Sequence, residues 1–357
     1  MKRVFVIGYS ENKGGVEKYI DLFSKYIAQS KVQIFLSLPI MEIDSRKWVR
    51  PKNRHNYLKY YLFWRKFFKV NHFDAIYYNT CDIVSIDMLR FAKKAGIPIR
   101  VIHSHSSKNQ RQLNIFHQYQ EKQSRVNLTK YATHFFACSK QAGEWMFGDG
   151  VDFKIIGNAI ELQKYQYKIE KRQKIREEEQ LQNKFVIGMV GRLEAEKNHE
   201  FALKVFERVH NAVPQSALII AGEGSLRNSI EMQIEQMDLT NAVKLLGNRD
   251  NVAEILSAVD CFLMPSKFEG FPFAMVEAQA AGLPCIVSDQ IPMETNISGN
   301  VHYISFDTPF DEWAKKIIEV GSVQNRELGN KILKEKGYDI SDNIAYIERI
   351  LLNEEDL

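Results

Sequence analysis

The stretch CFLMPSKFEGFPFAMVEAQAAGLPCIVS, residues 261–288, holds the pattern that decides the fold. Four apolar residues lead into a polar loop with Gly270 and Pro272, and a helical pattern then covers Phe273–Ala281. A second apolar run, Pro284–Ser288, follows at once. Two short apolar runs separated by one helix are typical of a parallel βαβ unit. The stretch therefore predicts an α/β fold with a parallel sheet.

The same alternation covers the rest of the chain in two series of five predicted strands. The first series is Val4–Ile7, Val32–Leu38, Ala75–Tyr78, Ile99–His103 and His134–Ala137, and the second is Phe185–Val190, Ala217–Ala221, Val243–Leu246, Cys261–Met264 and Pro284–Ser288. The predicted helices include Val16–Gln29, Ile86–Ala95, His199–Asn211, Ser225–Met237 and Val252–Ala258. A chain of 357 residues exceeds what one core usually organises. We predict two Rossmann-like, doubly wound parallel-sheet domains, over 1–165 and 183–339.

The segment Gln163–Asn183 separates the two series. It is rich in charge and has no apolar period, so we interpret it as the connection between the domains together with a solvated helix. A C-terminal helix over about 340–357 is expected to pack back on the first domain.

Composition narrows the class of protein. A chain that is 45% hydrophobic and 26% charged is typical of soluble globular proteins, and its net charge of +4 is too weakly basic to indicate nucleic acid. Cys81, Cys138, Cys261 and Cys285 lie far apart, which argues against disulfides or a metal site and fits a reducing compartment. No run approaches the roughly 18 apolar residues that span a bilayer. We therefore expect a cytoplasmic protein.

Glycines follow two predicted strands where a helix is about to begin. Gly14 and Gly15 follow the first strand, and Gly222 and Gly224 follow the strand at Ala217–Ala221. Glycine lets a backbone approach a ligand closely, and a helix N-terminus offers N–H groups to an anion. A plain βα turn explains each pair equally well. The first pair does not form the G-x-G-x-x-G fingerprint, which disfavours a nicotinamide enzyme, and the second pair alone is a weak signal.

Charged residues occupy two loops of the second series. Arg192 and Lys197 flank the loop after its first strand, where two cations can neutralise a pyrophosphate and stabilise it as a leaving group. A solvated charged loop has the same spacing. Glu269 lies in a loop and Glu277 on the following helix, so both carboxylates can reach the same crevice and accept hydrogen bonds from sugar or ribose hydroxyls. Paired acid–base catalysis, as in glycoside hydrolases, is the alternative.

Two histidines, His103 and His105, close a strand of the first series in IHSHSS. A strand-end histidine can bind a donor hydroxyl or stabilise developing charge, or it can be an ordinary half-buried polar residue. Because side chains alternate along a strand, we expect only one of the two to face inward. A metal on H-x-H is disfavoured, since no cluster of Asp, Glu or Cys completes the site, and the sequence contains no D-x-D.

Together these motifs resemble the large family of retaining GT-B glycosyltransferases, family 4, over nearly the whole chain. The matching elements are Gly14-Gly15, G-R-L-x-x-E-K-N at 191–198, G-E-G at 222–224 and E-x7-E from Glu269 to Glu277. The resemblance implies the GT-B fold, with two domains facing across a cleft. It also implies metal-independent, retaining transfer of a sugar from a nucleotide diphosphate sugar. The H-S-H form is most similar to bacterial enzymes of capsular or exopolysaccharide synthesis.

The resemblance also implies residue roles. Arg192 and Lys197 would hold the donor diphosphate, Glu277 the ribose hydroxyls and Glu269 the donor sugar, while Gly247–Val252 would line the base. The catalytic candidates are Glu269, His103, His105, Arg192 and Lys197, with no metal ligand. The expected donor-binding set is Gly14, Gly15, Arg192, Lys197, Gly222, Glu223, Asn248, Arg249, Val252, Glu269, Gly270, Phe271 and Glu277.

The expected partners follow from the same resemblance. The donor would be a UDP-sugar and the acceptor a lipid-linked oligosaccharide or another saccharide, with no resident cofactor. Alternatives are a GT-B sugar-nucleotide epimerase, a phosphorylase and a non-catalytic sugar-nucleotide-binding subunit. A phosphorylase would need a longer chain and a lysine that carries pyridoxal. The intact set of Glu269, Glu277, Arg192 and Lys197 argues against a non-catalytic subunit.

The segment between Ser45 and Phe73 is basic and aromatic, with nine cations, eight aromatic residues and no acidic one. Such a segment suits a helix that lies on an anionic membrane surface, here over 46–70. The alternative is an ordinary helix whose rings pack into the core of the first domain. Nucleic acid would use the same residue types, but nothing else in the chain supports it.

Overall fold

The computed structural model describes residues 1–9, 14–27, 31–37, 47–49, 57–109, 112–321 and 326–354. The chain divides into two compact units. Unit 1 consists of Met1–Ala159 with Ile340–Leu357, and unit 2 of Ile160–Asp339. Each unit is built on a parallel sheet with helices between its strands, which confirms the predicted α/β class with two domains.

Unit 1 contains a seven-stranded sheet of order β3-β2-β1-β4-β5-β6-β7. Its strands are β1 (Lys2–Ile7), β2 (Val32–Ser37), β3 (Lys47–Val49), β4 (Ala75–Thr80), β5 (Ile99–Ser104), β6 (His134–Ala137) and β7 (Lys154–Ile155). Its first helices are α1 (Gly15–Tyr26), α2 (Tyr57–Val70), α3 (Asp87–Lys94), α4 (Ile115–Tyr131) and α5 (Lys140–Phe147). The strand order reverses between β1 and β4, and ligands bind open α/β sheets at such a reversal.

Helix α2 forms the longer described part of the basic aromatic segment, and residues 45–46 and 50–56 lie outside the described ranges. Tyr60, Trp64 and Phe68 recur every four residues and are buried. The ring centroid of Phe5 on β1 lies 6.0 Å from that of Trp64 and 5.6 Å from that of Phe68. These rings therefore pack into the core, as expected for an ordinary helix of the first domain. The cations of α2 lie on its exposed side.

Unit 2 contains a six-stranded sheet of order β10-β9-β8-β11-β12-β13. Its strands are β8 (Phe185–Val190), β9 (Ser216–Ala221), β10 (Val243–Gly247), β11 (Cys261–Met264), β12 (Cys285–Ser288) and β13 (Val301–Ile304). Its helices are α6 (Leu162–Tyr165), α7 (Ile169–Glu178), α8 (His199–Ala212), α9 (Arg227–Gln236), α10 (Val252–Ala258), α11 (Phe273–Ala280), α12 (Phe310–Gly321) and α13 (Glu327–Glu335). Because β8 is central, the loops after β8 and β11 emerge side by side at one edge of the sheet.

Helix α7 lies within the charged segment Gln163–Asn183 and is docked on unit 2. Arg172 and Arg176 donate to the two oxygens of Asp260 at 2.5 and 2.7 Å, and Ile175 is fully buried. The same carboxylate accepts from the backbone N–H of Val186 at 2.8 Å. The helix expected in this segment is present and most of its side chains are exposed, but it belongs to unit 2 and is not part of a connection between the domains. The helix is held by ion pairs with Asp260, which lies 88 and 84 positions from Arg172 and Arg176 in the sequence. Such contacts produce no local apolar period from which the docking could be predicted.

A last described helix, α14 (Ile340–Leu352), returns the chain to unit 1. It packs against α1 and β1 and buries Ile344, Ile347, Ile350 and Leu351. Just before it, the backbone of Ile160 pairs in parallel with that of Asp339 inside unit 2. In the part of the chain that is described, none of the helices combines the length and apolar character needed to span a membrane.

Candidate functional site

The loops after β8 and β9 are joined by backbone hydrogen bonds. Leu193 donates to the carbonyl of Glu223 at 2.9 Å, and Leu226 donates to that of Leu193 at 2.9 Å. Gly222 has a φ of +146°, and a Cβ there would lie 1.9 Å from the carbonyl oxygen of Gly191. A Cβ on Gly224 would lie 2.5 Å from the oxygen of Leu193. The G-E-G turn is therefore required for the contact between the two loops, whatever it does for a ligand.

Lys197 and Glu269 meet at the carboxyl edge of the unit 2 sheet. The ammonium of Lys197, in the loop after β8, bonds the carboxylate of Glu269, in the loop after β11. Their side chains are only 17% and 13% exposed. The backbone N–H of Lys267 also donates to the carbonyl of Glu196 at 2.8 Å, which ties the two loops beside the pair. The structure thus brings together two residues that the sequence had assigned to different parts of the donor.

Arg192 lies in the same loop but stays outside that pair. Its guanidinium contacts Glu196 at 2.8 Å, and its side chain is 57% exposed. Exposed pairs of this kind contribute roughly 0–1 kcal/mol. The guanidinium can therefore leave Glu196 for an incoming anion at little cost.

Glu277 lies in the interior of unit 2. It is 1% exposed, and the hydroxyl of Tyr165 donates to its Oε1 at 2.6 Å. Burial, and then the neighbouring Glu277, raise the pKa of Tyr165 well above its usual value, so this hydroxyl keeps its proton. In this structure the two glutamates therefore have different partners. We expected both carboxylates to reach one crevice, but Glu277 is buried beside Tyr165. The ribose role of Glu277 stays a prediction.

The sequence did not single out Tyr165. It follows the end of the first series in an apparently irregular stretch, on the four-residue helix α6. Phe271, the neighbour of Gly270 after Glu269, is buried and stacks on Tyr338 with the ring centroids 5.8 Å apart. Phe271 therefore supports the loop through its ring, and a contact of its amide with a donor stays a prediction.

The remaining predicted donor-binding residues of unit 2 surround the end of β10. Glu223 pairs with Arg227, and a Cβ on Gly247 would lie 2.9 Å from a carboxylate oxygen of Glu223. Arg249 donates to Glu179 at 2.9 Å. Asn248 is exposed, and Val252 opens α10. This group is compact, but Arg249 is directed to the end of α7.

Unit 1 places Gly14 and Gly15 at the start of α1. The N–H of Gly14 donates to the carboxylate of Glu17 at 2.9 Å, so this donor is already used. At the end of β1, Gly8 has a φ of +114°, and a Cβ there would lie 2.2 Å from the carbonyl oxygen of Asn79. Gly8 lets the ends of β1 and β4 approach each other at the reversal of strand order. Gly8 is not among the residues that the sequence predicted for a site.

His103 and His105 lie side by side at the end of β5. Their ring centroids are 4.1 Å apart, and each is 5.0 Å from that of Tyr19 on α1. The expectation that alternation separates the two rings was wrong, because positions two apart along a strand lie on the same face, and both rings lie against Tyr19. Buried Tyr77 links the group, since its hydroxyl lies 2.8 Å from Nδ1 of His103 and 2.6 Å from the hydroxyl of Tyr19.

The surroundings of the two histidines differ. His103 is fully buried, whereas His105 is partly exposed and its Nε2 lies 3.0 Å from Oδ1 of Asn79. Burial lowers the pKa of both, to about 3 for His105. The neighbouring His105 lowers the pKa of His103 further. Both rings are therefore neutral near pH 7 and act as hydrogen-bonding groups without a charge.

Within the described ranges, no three His, Cys, Asp or Glu side chains are placed to hold a metal ion. The two cations predicted to hold a diphosphate, Lys197 and Arg192, lie in the loop after β8, and their contact with a donor stays a prediction.

Known proteins resemble this chain over most of its length. The model of the family described as Glycosyl transferases group 1 matches residues 170–355. The putative glycosyltransferase EpsF of Bacillus subtilis is 30% identical, with 96% of this chain and 94% of that protein aligned. The chain belongs to the group 1 family of glycosyltransferases. This glycosyltransferase is also 36% identical to an Escherichia coli UDP-Gal:alpha-D-GlcNAc-diphosphoundecaprenol alpha-1,3-galactosyltransferase, over 43% of this chain and 39% of that protein.

Solved structures extend the comparison to the fold. Anabaena HepE in complex with UDP superposes with a TM-score of 0.79 at 18% identity, covering 99% of this glycosyltransferase and 100% of HepE. WaaG, a glycosyltransferase of lipopolysaccharide biosynthesis, gives a TM-score of 0.74 at 14% identity, with 98% and 99% covered. At these identities the likeness shows the fold alone. It confirms the GT-B architecture of the glycosyltransferase.

Proposed function

We propose that this glycosyltransferase is a retaining, metal-independent enzyme that moves a sugar from a UDP-sugar to a lipid-linked or other saccharide acceptor in capsular or exopolysaccharide synthesis. The observation that carries the proposal is the shielded ion pair of Lys197 with Glu269, on the same edge of the unit 2 sheet as the loop of Arg192. Two observations favour a role in capsular or exopolysaccharide synthesis. One is the EpsF relative, and the other is the resemblance of the H-S-H motif to bacterial enzymes of that synthesis.

The diphosphate is the group that the two cations recognise. Charge-assisted hydrogen bonds from Lys197 and Arg192 bind the anion, and they strengthen as negative charge develops on the leaving oxygen. Two side-chain cations supply the charge that a bound metal would otherwise provide, which is the basis for proposing metal independence. The departing diphosphate then takes the proton of the acceptor hydroxyl on the same face of the sugar, so that configuration is retained.

Glu269 serves two purposes in this proposal. A carboxylate has about four acceptor positions, so it can hold Lys197 and still accept a bond from a hydroxyl of the donor sugar. The pairing with Lys197 directs the carboxylate. The backbone of Gly270 lies next to it in the same loop. A positional role of this kind requires no covalent intermediate on Glu269.

The choice of UDP and of a lipid-linked acceptor is supported by what the relatives are named for. The Escherichia coli relative is named for UDP-Gal and a diphosphoundecaprenol acceptor. A Campylobacter jejuni relative, 30% identical over 38% of this chain and 34% of that protein, is named for a diphospho-undecaprenol substrate as well. The HepE structure contains UDP. We extend both features to this chain.

A lipid-linked acceptor lies in a membrane, so the enzyme must reach the membrane surface to use it. We therefore extend the proposal to peripheral binding of unit 1 to the cytoplasmic side of the membrane. Unit 1 contains 27 Lys and Arg residues against 17 Asp and Glu, whereas unit 2 contains 21 against 27. The exposed side of α2 carries cations beside apolar side chains, among them Lys59, Leu58, Leu62, Arg65, Lys66 and Lys69. Cations beside apolar groups suit an anionic lipid surface.

The test is a panel of nucleotide sugars incubated with the purified enzyme, first without acceptor and then with undecaprenyl-diphosphate saccharides. Slow release of UDP from one donor, accelerated by a lipid-linked acceptor, is the expected result. A control enzyme with Lys197→Ala should release little UDP. Release of GDP alone would overturn the choice of donor. Interconversion of the donor sugar without transfer would favour the epimerase alternative.

A further inference from the structure

We propose that Asn79 is a positioning residue that fixes the tautomer of His105, so that Nδ1 of His105 is presented to a substrate hydroxyl as a hydrogen-bond acceptor. The inference rests on the proposed transferase function for its substrate. Its structural part concerns unit 1 alone and can be tested in the absence of any donor.

The orientation of the Asn79 amide is set by a neighbouring carbonyl. Asn79 lies near the end of β4 and is buried, and its Nδ2 donates to the carbonyl of Ile7 at the end of β1 at 3.3 Å. A carbonyl oxygen only accepts, so the NH₂ group must face Ile7. The amide oxygen Oδ1 then faces His105. Gly8 makes this possible, because it lets the two strand ends come together.

The amide oxygen determines where the proton of His105 lies. Oδ1 of Asn79 can only accept, and Nε2 of His105 lies 3.0 Å from it, so Nε2 carries the proton. A neutral imidazole has one N–H group, which leaves a lone pair on Nδ1. Burial lowers the pKa of His105, so the neutral form prevails at pH 7.

Neighbouring groups hold the ring of His105 in place. The backbone N–H of His105 donates to the carbonyl of Thr80 at 2.9 Å. Tyr19 and His103 lie against its ring, and both are neutral, since burial raises the pKa of Tyr19 and lowers that of His103. With ring and tautomer both fixed, Nδ1 has a defined direction before any substrate arrives.

His103 cannot take the same role. It is fully buried, and its Nδ1 is occupied by the hydroxyl of Tyr77. Of the two histidines in H-S-H, His105 is therefore the one that meets substrate. An acceptor at this position selects a hydroxyl group, because an ether oxygen has no proton to donate. The ligand at His105 is thus a proton-donating group of a sugar, which in this proposal is a free hydroxyl.

The first experiment reads the tautomer directly by ¹⁵N NMR of the full-length protein labelled at histidine, without ligand, with His105→Gln used to assign the signals. The expected result is a neutral ring with the proton on Nε2 at pH 7. A ring protonated on Nδ1 would overturn the proposal whatever the enzymatic activity. Tyr77→Phe is the control, since it changes the surroundings of His103 and should leave the His105 tautomer unchanged.

Two substitutions of Asn79 separate positioning from a merely structural role. Asn79→Asp keeps an acceptor for Nε2–H but can no longer donate to Ile7, whereas Asn79→Ala loses both bonds. We expect Asn79→Ala to mix the two tautomers and to lower kcat/KM about tenfold. We expect Asn79→Asp to keep the Nε2–H tautomer, with the pKa of His105 raised by the new carboxylate and the acid limb of the pH profile moved upward.

Equal loss of the Nε2–H tautomer in both Asn79 variants would overturn the proposal, because the Ile7 bond would then be the feature that matters. A fixed tautomer together with unchanged transfer by His105→Ala would overturn the substrate part. The panel of nucleotide sugars tests the proposed function, and the NMR spectra test the role of Asn79 without any donor. A wrong function and a wrong role for Asn79 therefore give different results.

Discussion

The ammonium of Lys197 and the carboxylate of Glu269 form an ion pair across two loops that follow adjacent strands. Both side chains are mostly shielded from water, so neither charge is strongly screened. Removing one partner of a shielded pair leaves the other uncompensated. Each residue of this pair therefore affects both the anion-binding charge and the shape of the loop that carries it.

Replacing Lys197 with Ala should weaken the binding of UDP itself. One charge-assisted contact contributes roughly 1.5–3 kcal/mol, or about ten- to a hundredfold in affinity. Calorimetric titration of UDP measures the change. Lys204→Ala is the matched control, because Lys204 forms only an exposed pair with Glu200 on α8.

Replacing Arg192 with Ala tests the second cation in the same titration. We expect a similar loss of affinity with an unchanged melting temperature, because the exposed pair with Glu196 contributes little to folding. Unchanged UDP affinity in both the Lys197 and Arg192 variants would remove these cations from the mechanism.

Substitutions of the two glutamates of E-x7-E should affect different steady-state constants. Glu269→Gln should mainly lower kcat, because in the proposed function the carboxylate meets the reacting sugar, where charge develops. Glu277→Gln should mainly raise the KM for the donor, because a ribose contact is made equally in the ground and transition states.

Tyr165→Phe is the comparison for Glu277, since it removes the hydroxyl that Glu277 binds in this structure. If Glu277 only anchors Tyr165, then both variants should alter the melting temperature and neither the donor KM. Abolished turnover with intact donor affinity in Glu277→Gln would require the two roles to be exchanged.

Chelation tests metal independence. Transfer activity should survive EDTA with the same kcat, because in the proposed function Lys197 and Arg192 neutralise the charge of the diphosphate. A metal-dependent glycosyltransferase treated in parallel serves as the positive control for chelation. Complete loss of activity, restored by manganese, would contradict the expectation.

Binding to lipid vesicles tests the exposed side of α2. The enzyme should sediment with anionic vesicles and much less with zwitterionic ones, and added salt should release it. The double variant Lys66→Glu/Lys69→Glu should lower binding tenfold or more, since each cation contributes about 1 kcal/mol near such a surface. Lys174→Glu/Lys331→Glu makes the same change on unit 2 and should bind as wild type. Equal binding by both variants would refute a role for α2.

The docking of α7 predicts a large stability effect far from the ligand loops. Asp260→Asn should lower the free energy of unfolding by roughly 3 kcal/mol, because two shielded guanidinium groups lose their common counter-charge. Urea unfolding measures it. Asp311→Asn, at an exposed and weakly paired carboxylate, should change stability very little. A similar value for the two variants would show that α7 is held by its apolar contacts alone.

The sequence predicted ten of the described strands, because each appears as a short and mostly apolar run. It missed β3 and β7, which are three and two residues long, and also β13 at the edge of its sheet. The glycine turns and the charged loops were found because strand order places them at one edge. Their pairing was not found, since Lys197 with Glu269 and Tyr165 with Glu277 are joined by tertiary packing across 72 and 112 positions.

Helix α14 has a consequence for how the protein is made. The chain leaves unit 1 at Ala159 and re-enters it at Ile340, so a ribosome completes unit 2 before it reaches α14. At about 5–20 residues per second, that interval lasts on the order of ten seconds or more. During it, the surface of α1 and β1 that Ile344 and Ile347 later cover faces solvent. The unit translated first is therefore the one that finishes folding last, and a nascent chain stalled before α14 presents an apolar surface to chaperones.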